Sequence, residues 1–299
     1  MLTENQINEI IKAWGQETYI KILKEIEIYT EKWKLSDLSF HESYSMNAIF
    51  YCKSEIYGEC VLKIGGNFQH AEFVWEYNVL REYGGHRYIK VYESEIDLKA
   101  GKKVMLLERV FPGTQLQVEQ SLDKRLEIFS GLFNGLHIKP ENPALYKSYD
   151  TGLREGAEAI SHRDDCKALY NHVLKAVDVY ASIASVCDSG MLLHKDLQFH
   201  NILKKNDDTY AIVDPQGSIG ASVIDVARYI LIEYYNGPRT VEFMAYIIAY
   251  LEKSLNIPGD IIRKGFYIEA AAFEGWFATV GDYTLDTVIF AERMMQQQL

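Results

Sequence analysis

The chain has 299 residues, 48% of them hydrophobic and 24% charged, the profile of a globular protein with room for a sizeable core. Its 42 acidic residues against 31 basic ones leave a formal net charge of −11, which speaks against nucleic acid or an anionic membrane surface as the main partner and suits a cationic one. The four cysteines, Cys52, Cys60, Cys166 and Cys187, form no C-x-x-C pair and have no histidine at a metal-ligand spacing, so they read as reduced thiols of a cytosol. No basic segment followed by an apolar stretch opens the chain, and no run of about 18 apolar residues occurs in it. A cytoplasmic protein is therefore expected, as a monomer or a homodimer.

In chain order, residues 3–27 carry helical periodicity through Ile7, Ile10, Ile11, Trp14, Ile20 and Leu23, with Thr3 as N-cap. Residues 46–52 and 59–64 read as two strands of a hairpin that turns at Tyr57-Gly58. Helical spacing returns over 70–83 and stops at Gly84-Gly85. Two further strands are expected over 88–93 and 103–108. From Gly113 the pattern is mostly helical, with helices predicted over 121–137, 151–161, 164–188, 221–235, 239–253, 259–278 and 283–297. The shift of composition near Phe111-Pro112-Gly113 divides a β-rich first lobe, 1–110, from a helical second lobe, 111–299.

One interruption of the helical half carries chemistry. In LLHKDLQFHNIL, residues 192–203, Asp196 stands five residues before Asn201; thirteen residues after Asn201, Asp214 follows an apolar run in IVDPQG. Phosphoryl transfer needs positioning and charge compensation more than covalent help. One carboxylate must orient the attacking hydroxyl, the role read for Asp196. An amide oxygen and a second carboxylate must hold Mg²⁺, a hard cation, the role read for Asn201 and Asp214. A lone D-x-x-x-x-N would be an ordinary turn pattern. Here it begins with H-x-D and is followed by an apolar strand ending at an aspartate.

This motif order resembles the catalytic and metal loops of the protein-kinase-like superfamily. More closely, HKDLQFHN with VDPQGSIGASVIDVARYI is similar to the aminoglycoside/hydroxyurea phosphotransferase family, which includes the streptomycin 6-kinases. That family carries H-G-D-L-x-x-x-N, then D-P-K-G, then G-x-P-x-x-D before a helix. These features fall here on His194 to Asn201, Asp214 to Gly217 and Gly220 to Asp225. Lys195, Gln198, Gln216 and Ser222 depart from the usual glycine, histidine, lysine and proline without removing a carboxylate or the amide.

The resemblance implies an α+β, two-lobed protein-kinase-like fold and ATP-dependent (or GTP-dependent), Mg²⁺-assisted phosphorylation of a small hydroxylated acceptor. It explains a lysine in the apolar strand VLKIG: Lys63 would contact phosphates and pair with a helix glutamate, Glu76 by choice and Glu72 as competitor. The glycine-rich phosphate loop is absent; SYSMN, with Ser45 and Asn47, is either its replacement or a solvent turn. Main-chain groups from Glu108 to Val110 would meet the base. Asp225 caps its own helix and, by the resemblance, also bonds the catalytic loop, while His194 is a scaffold residue rather than a proton shuttle.

For the acceptor, Glu269, Glu274, Asp282, Asp286 and Glu292 lie among Tyr267, Trp276 and Tyr283. Carboxylates among aromatic rings suit a cationic ligand, but residue by residue a solvated acidic helix face is expected. The leading acceptor is an aminoglycoside-type or other cationic antibiotic. The alternatives are a metabolite kinase acting on an amino alcohol or sugar, and a nucleotide-binding pseudokinase. A protein kinase is disfavoured, because no A-P-E segment follows and the stretch from Asp214 to Asp225 is too short for an activation segment.

Overall fold

The structure is a computed structural model that describes residues 4–41, 47–66 and 72–296. It divides into two compact units, Met1–Thr114 with Lys204–Val213, and Gln115–Leu203 with Asp214–Leu299. The first unit thus takes in a segment far from the division expected at 110/111.

The first unit is built on an antiparallel sheet. Helices α1 (Glu4–Trp14) and α2 (Gln16–Lys32) precede strands β1 (Leu35–Phe40), β2 (Asn47–Ser54) and β3 (Gly58–Gly65); α3 (Glu72–Tyr83) leads to β4 (Val91–Asp97) and β5 (Lys102–Glu108). The sheet order is β1-β2-β3-β5-β4. Side chains alternate between its faces. Ala48, Phe50 and Cys52 of β2 join Cys60, Leu62 and Ile64 of β3 in one core with Ile22 and Tyr29 of α2 and Trp33 just after it. The intervening Lys63 must therefore point to the opposite face. The single helix expected over 3–27 is two helices, because Gly15 takes φ 85° between them. Strand β1 was not legible: Asp37 at φ 54° and a register irregularity between Ser36 and Ser39 interrupt its alternation.

The second unit is helical: α4 (Leu122–Phe133), α5 (Tyr149–Ile160), α6 (Lys167–Ala184), α7 (Val223–Asn236), α8 (Val241–Leu255), α9 (Gly259–Val280) and α10 (Asp286–Gln296). Side-chain oxygens of Ser121, Ser148 and Thr240 cap α4, α5 and α8. Helix α9 is buried nearly all round and packs against α5, α6, α7, α8 and α10. It comes close to α7 at Gly265, where a Cβ would stand 3.2 Å from that of Ala227.

Short strands carry the loop of interest. The remaining ones are β6 (Pro112–Gln115), β7 (Met191–Leu193), β8 (Ile202–Lys205), β9 (Tyr210–Ile212) and β10 (Ser218–Gly220). Strand β7 pairs with β10, with Leu193 opposite Ser218; β8 and β9 form a hairpin to which β6 adds. Among the described residues, no helix is long and apolar enough to cross a membrane.

Candidate active site

The loop from His194 to Asn201 leaves β7 and enters β8, and a buried carboxylate fixes its first turn. Asp225, in the first turn of α7, accepts the His194 N–H at 2.9 Å and the Lys195 N–H at 2.8 Å. His137 Nε2 adds a third contact at 2.9 Å. Burial by itself would push the Asp225 carboxyl up; the bond and charge of His137, with those of His194, hold it below the ordinary carboxylate range instead. Lys195 adopts φ 68°, a left-handed conformation that explains the family's usual glycine at this position. The His194 ring is fully buried and its Nδ1 accepts the Asp196 N–H at 3.1 Å, a scaffolding contact.

The Asp196 carboxylate is held by side-chain donors. Gln198 Nε2 lies 3.1 Å from each oxygen. Asn201 Nδ2 donates to the Asp196 carbonyl at 2.9 Å and to Oδ2 at 3.1 Å. With both donations made by its nitrogen, the Asn201 amide keeps its oxygen as an acceptor. The segment bearing Asp214 is fastened to the same loop, since the Gln216 and Gly217 N–H groups donate to the His194 carbonyl at 2.9 and 3.3 Å. Asp214 itself is exposed and takes φ 55°, a left-handed conformation that aspartate tolerates better than most residues. The β8–β9 hairpin returns the chain so that Asn201 and Asp214 flank the same end of it.

Sequence reasoning missed what surrounds this loop. Arg228 of α7 places Nε 3.1 Å from Asp196 Oδ1 and Nη1 3.7 Å from Glu269 Oε2. Both are ion-pair distances, and neither contact has hydrogen-bond geometry. The guanidinium also lies over the Phe273 ring, 4.7 Å from its centre. Glu269 accepts a short bond from the Tyr149 hydroxyl, and burial pushes its carboxyl up against the opposing pull of Arg228. The solvated acidic face expected on the last helices does not hold for Glu269 and Glu274, which are buried; Glu274 is bonded by Tyr235 and the Thr284 N–H. Asp282 and Asp286 are exposed as expected. The one sequence signal for Arg228 was a cation flanked a helical turn away by Ile224, Leu231 and Ile232.

In the first unit, Lys63 Nζ lies 2.8 and 2.7 Å from the two carboxylate oxygens of Glu76, and both residues are 4% exposed. Glu72, the competitor, is exposed. The pair joins β3 to α3 across the sheet face opposite the α1–α2 core. Asn47 opens β2 opposite Gly65, whereas Ser45 lies outside the described residues. The Glu108 N–H donates to the Lys90 carbonyl at 2.9 Å, so that amide is not among the main-chain groups open to the base contact expected from Glu108 to Val110. The Glu108 carboxylate accepts from the Lys90 N–H at 3.1 Å and from Lys205 Nζ at 3.2 Å. All four cysteines are free thiols; burial pushes the Cys52 thiol up to about 12, aided by Cys60 opposite it.

The family model of the aminoglycoside/hydroxyurea antibiotic resistance kinases matches residues 61–260, which include Lys63, Glu76, the whole catalytic loop and Asp225. The chain belongs to this family. It is accordingly a small-molecule phosphotransferase acting on hydroxyl groups. The kinase has no match among curated proteins searched by sequence. Solved structures share its fold at low identity. Choline kinase LicA from Streptococcus pneumoniae superposes with a TM-score of 0.63 at 12% identity, covering 92% of this chain and 98% of that one. The aminoglycoside phosphotransferase APH(4)-Ia gives 0.61 at 14%, covering 93% and 99%. The choline kinase of Cryptosporidium parvum Iowa II gives 0.61 at 14%, covering 92% and 93%. The α+β kinase-like fold of the family kinase is thus common to neighbours with different acceptors.

Proposed function

We propose that this kinase transfers the γ-phosphoryl group of ATP to a hydroxyl of an aminoglycoside-type or other cationic antibiotic. The observation that carries the transfer chemistry is the Asp196 carboxylate, held at both oxygens by Gln198 and at one by Asn201 in a loop anchored on Asp225. A carboxylate fixed in this way can accept the proton of an incoming hydroxyl without reorganising. Lys63, steadied by Glu76, offers its ammonium group to the phosphates, with Ser45 and Asn47 as further donors and main-chain groups between Glu108 and Val110 for the base. The Asn201 amide oxygen and the Asp214 carboxylate are hard oxygen donors that suit Mg²⁺, which usually takes few protein ligands beside phosphate oxygens. When bound there, Mg²⁺ supplies charge neutralisation for the transferred group. A neighbour of the same fold was crystallised with ADP and hygromycin B, which supports nucleotide and antibiotic in one such fold.

A second reading is favoured by one observation: choline kinases stand among the structural neighbours at TM-scores of 0.63 and 0.61, against 0.61 for the antibiotic kinase. The acceptor would then be an amino alcohol. ADP release by the purified protein with MgATP, measured across a panel of aminoglycosides, amino alcohols and sugars, decides between them. Stimulation by an aminoglycoside is the expected result. Stimulation by amino alcohols alone would overturn the antibiotic reading, and nucleotide binding without turnover on any acceptor would favour a sensor. GTP in place of ATP is tested in the same plates.

A further inference from the structure

The donors that Gln198 and Asn201 give to Asp196 come from the loop that carries Asp196 itself, so they move with it. Arg228 reaches this carboxylate from outside the loop. It does so from α7, on a helix face otherwise lined by Ile224, Leu231 and Ile232. A guanidinium with a side chain only 13% exposed is expensive unless its charge is compensated. Here compensation comes from two sides, Asp196 in the loop and Glu269 on α9, with Glu269 fixed by Tyr149 of α5. The face of the Phe273 ring covers the guanidinium. Together these contacts connect Asp196 to three helices of the second unit.

We propose that Arg228 is a positioning residue for phosphoryl transfer, which fixes the Asp196 carboxylate against the α7–α9 framework. The proposal rests on the reading of Asp196 as the group that receives the acceptor's proton. A bare carboxylate on a surface loop can rotate about its own side-chain bonds. One clamped between loop amides and a framework cation keeps its free lone pair in one direction, and misplacement by an ångström costs about 10²-fold in rate. The purely structural alternative is that Arg228 exists to pair with Glu269 and to join α7 to α9.

The experiment is steady-state kinetics with MgATP and the acceptor identified by the panel, on Arg228→Met, Arg228→Gln, Arg228→Ala, Arg228→Lys and Glu269→Gln, with thermal unfolding of each. Arg228→Met and Arg228→Gln should lower kcat by about 10- to 100-fold while KM for MgATP changes by less than about twofold. Arg228→Lys should recover part of the loss. Millimolar guanidinium added to Arg228→Ala should do the same, at concentrations far below those that denature. Glu269→Gln leaves the contact to Asp196 in place and should lower kcat less than Arg228→Met. A folded Arg228→Met variant with wild-type kcat overturns the proposal, and so do equal losses in Arg228→Met and Glu269→Gln. Asp196→Ala is run alongside: turnover surviving in that variant sinks the reading of Asp196, whereas an inert Asp196→Ala beside a fully active Arg228→Met sinks only the role of Arg228.

Discussion

Lys63 is a lysine buried to 4% exposure in a sheet, and Glu76 is its counter-charge. Removing one member of such a pair leaves the other charged in a low-dielectric place. Glu76→Ala is therefore expected to cost about 3–5 kcal/mol of stability, read from the urea midpoint; an unchanged midpoint would mean that the pair is solvated. Lys195 offers a change in the other direction. It stands at φ 68°, where the family usually has glycine, and the backbone N–H by which it holds Asp225 is one that glycine keeps. Lys195→Gly should raise stability by up to about 1 kcal/mol, and a lowered urea midpoint would contradict this. Both residues were visible in the sequence, Lys63 as a cation in an apolar strand and Lys195 as a departure from a motif. The cluster of Arg228, Glu269, Tyr149 and His137 was not, since its members come from separate elements and meet only after folding; Glu269 alone was singled out, as one acid among several near aromatic rings.

The loop is held by neighbouring elements as well as by its own side chains. Asp225 joins the start of α7 to the turn after β7 and to His137, and its pKa lies below the ordinary value. A carboxyl depressed in the folded state stabilises the fold above its unfolded pKa of about 4 and loses that contribution as pH falls through the folded value. The stability gap between wild type and Asp225→Asn should thus be about 3–5 kcal/mol near neutrality and should close in acid. A gap independent of pH would show that the charge of Asp225 contributes nothing. The α7–α9 contact makes a separate prediction. At Gly265 a Cβ would already press on Ala227 and lie in contact with Val223, so Gly265→Val should cost about 1–3 kcal/mol, seen as a lowered melting temperature with kcat retained at permissive temperature. The helices of the second unit were legible because their apolar period is long and regular. The break at Gly15 was not, since periodicity continues on both sides of it, and β1 carries too little alternation to stand out.

At the scale of the whole molecule, two kinds of information separate. The catalytic motif lies within a short stretch, His194 to Asp225, so chain order alone carried both the fold family and the reaction type. No comparable stretch marks the acceptor, and the neighbours that share the fold include both choline and aminoglycoside kinases, so the net charge of −11 and the acidic residues of the last helices do not name it. The central claim is that Asp196 drives phosphoryl transfer to a small hydroxylated acceptor. Its most direct test is transfer of labelled γ-phosphate from ATP to the acceptor by wild type and by Asp196→Ala, with nucleotide binding measured in parallel. The account predicts that the variant binds nucleotide as wild type does and transfers roughly 10²–10⁴-fold more slowly; transfer at the wild-type rate by Asp196→Ala would contradict it.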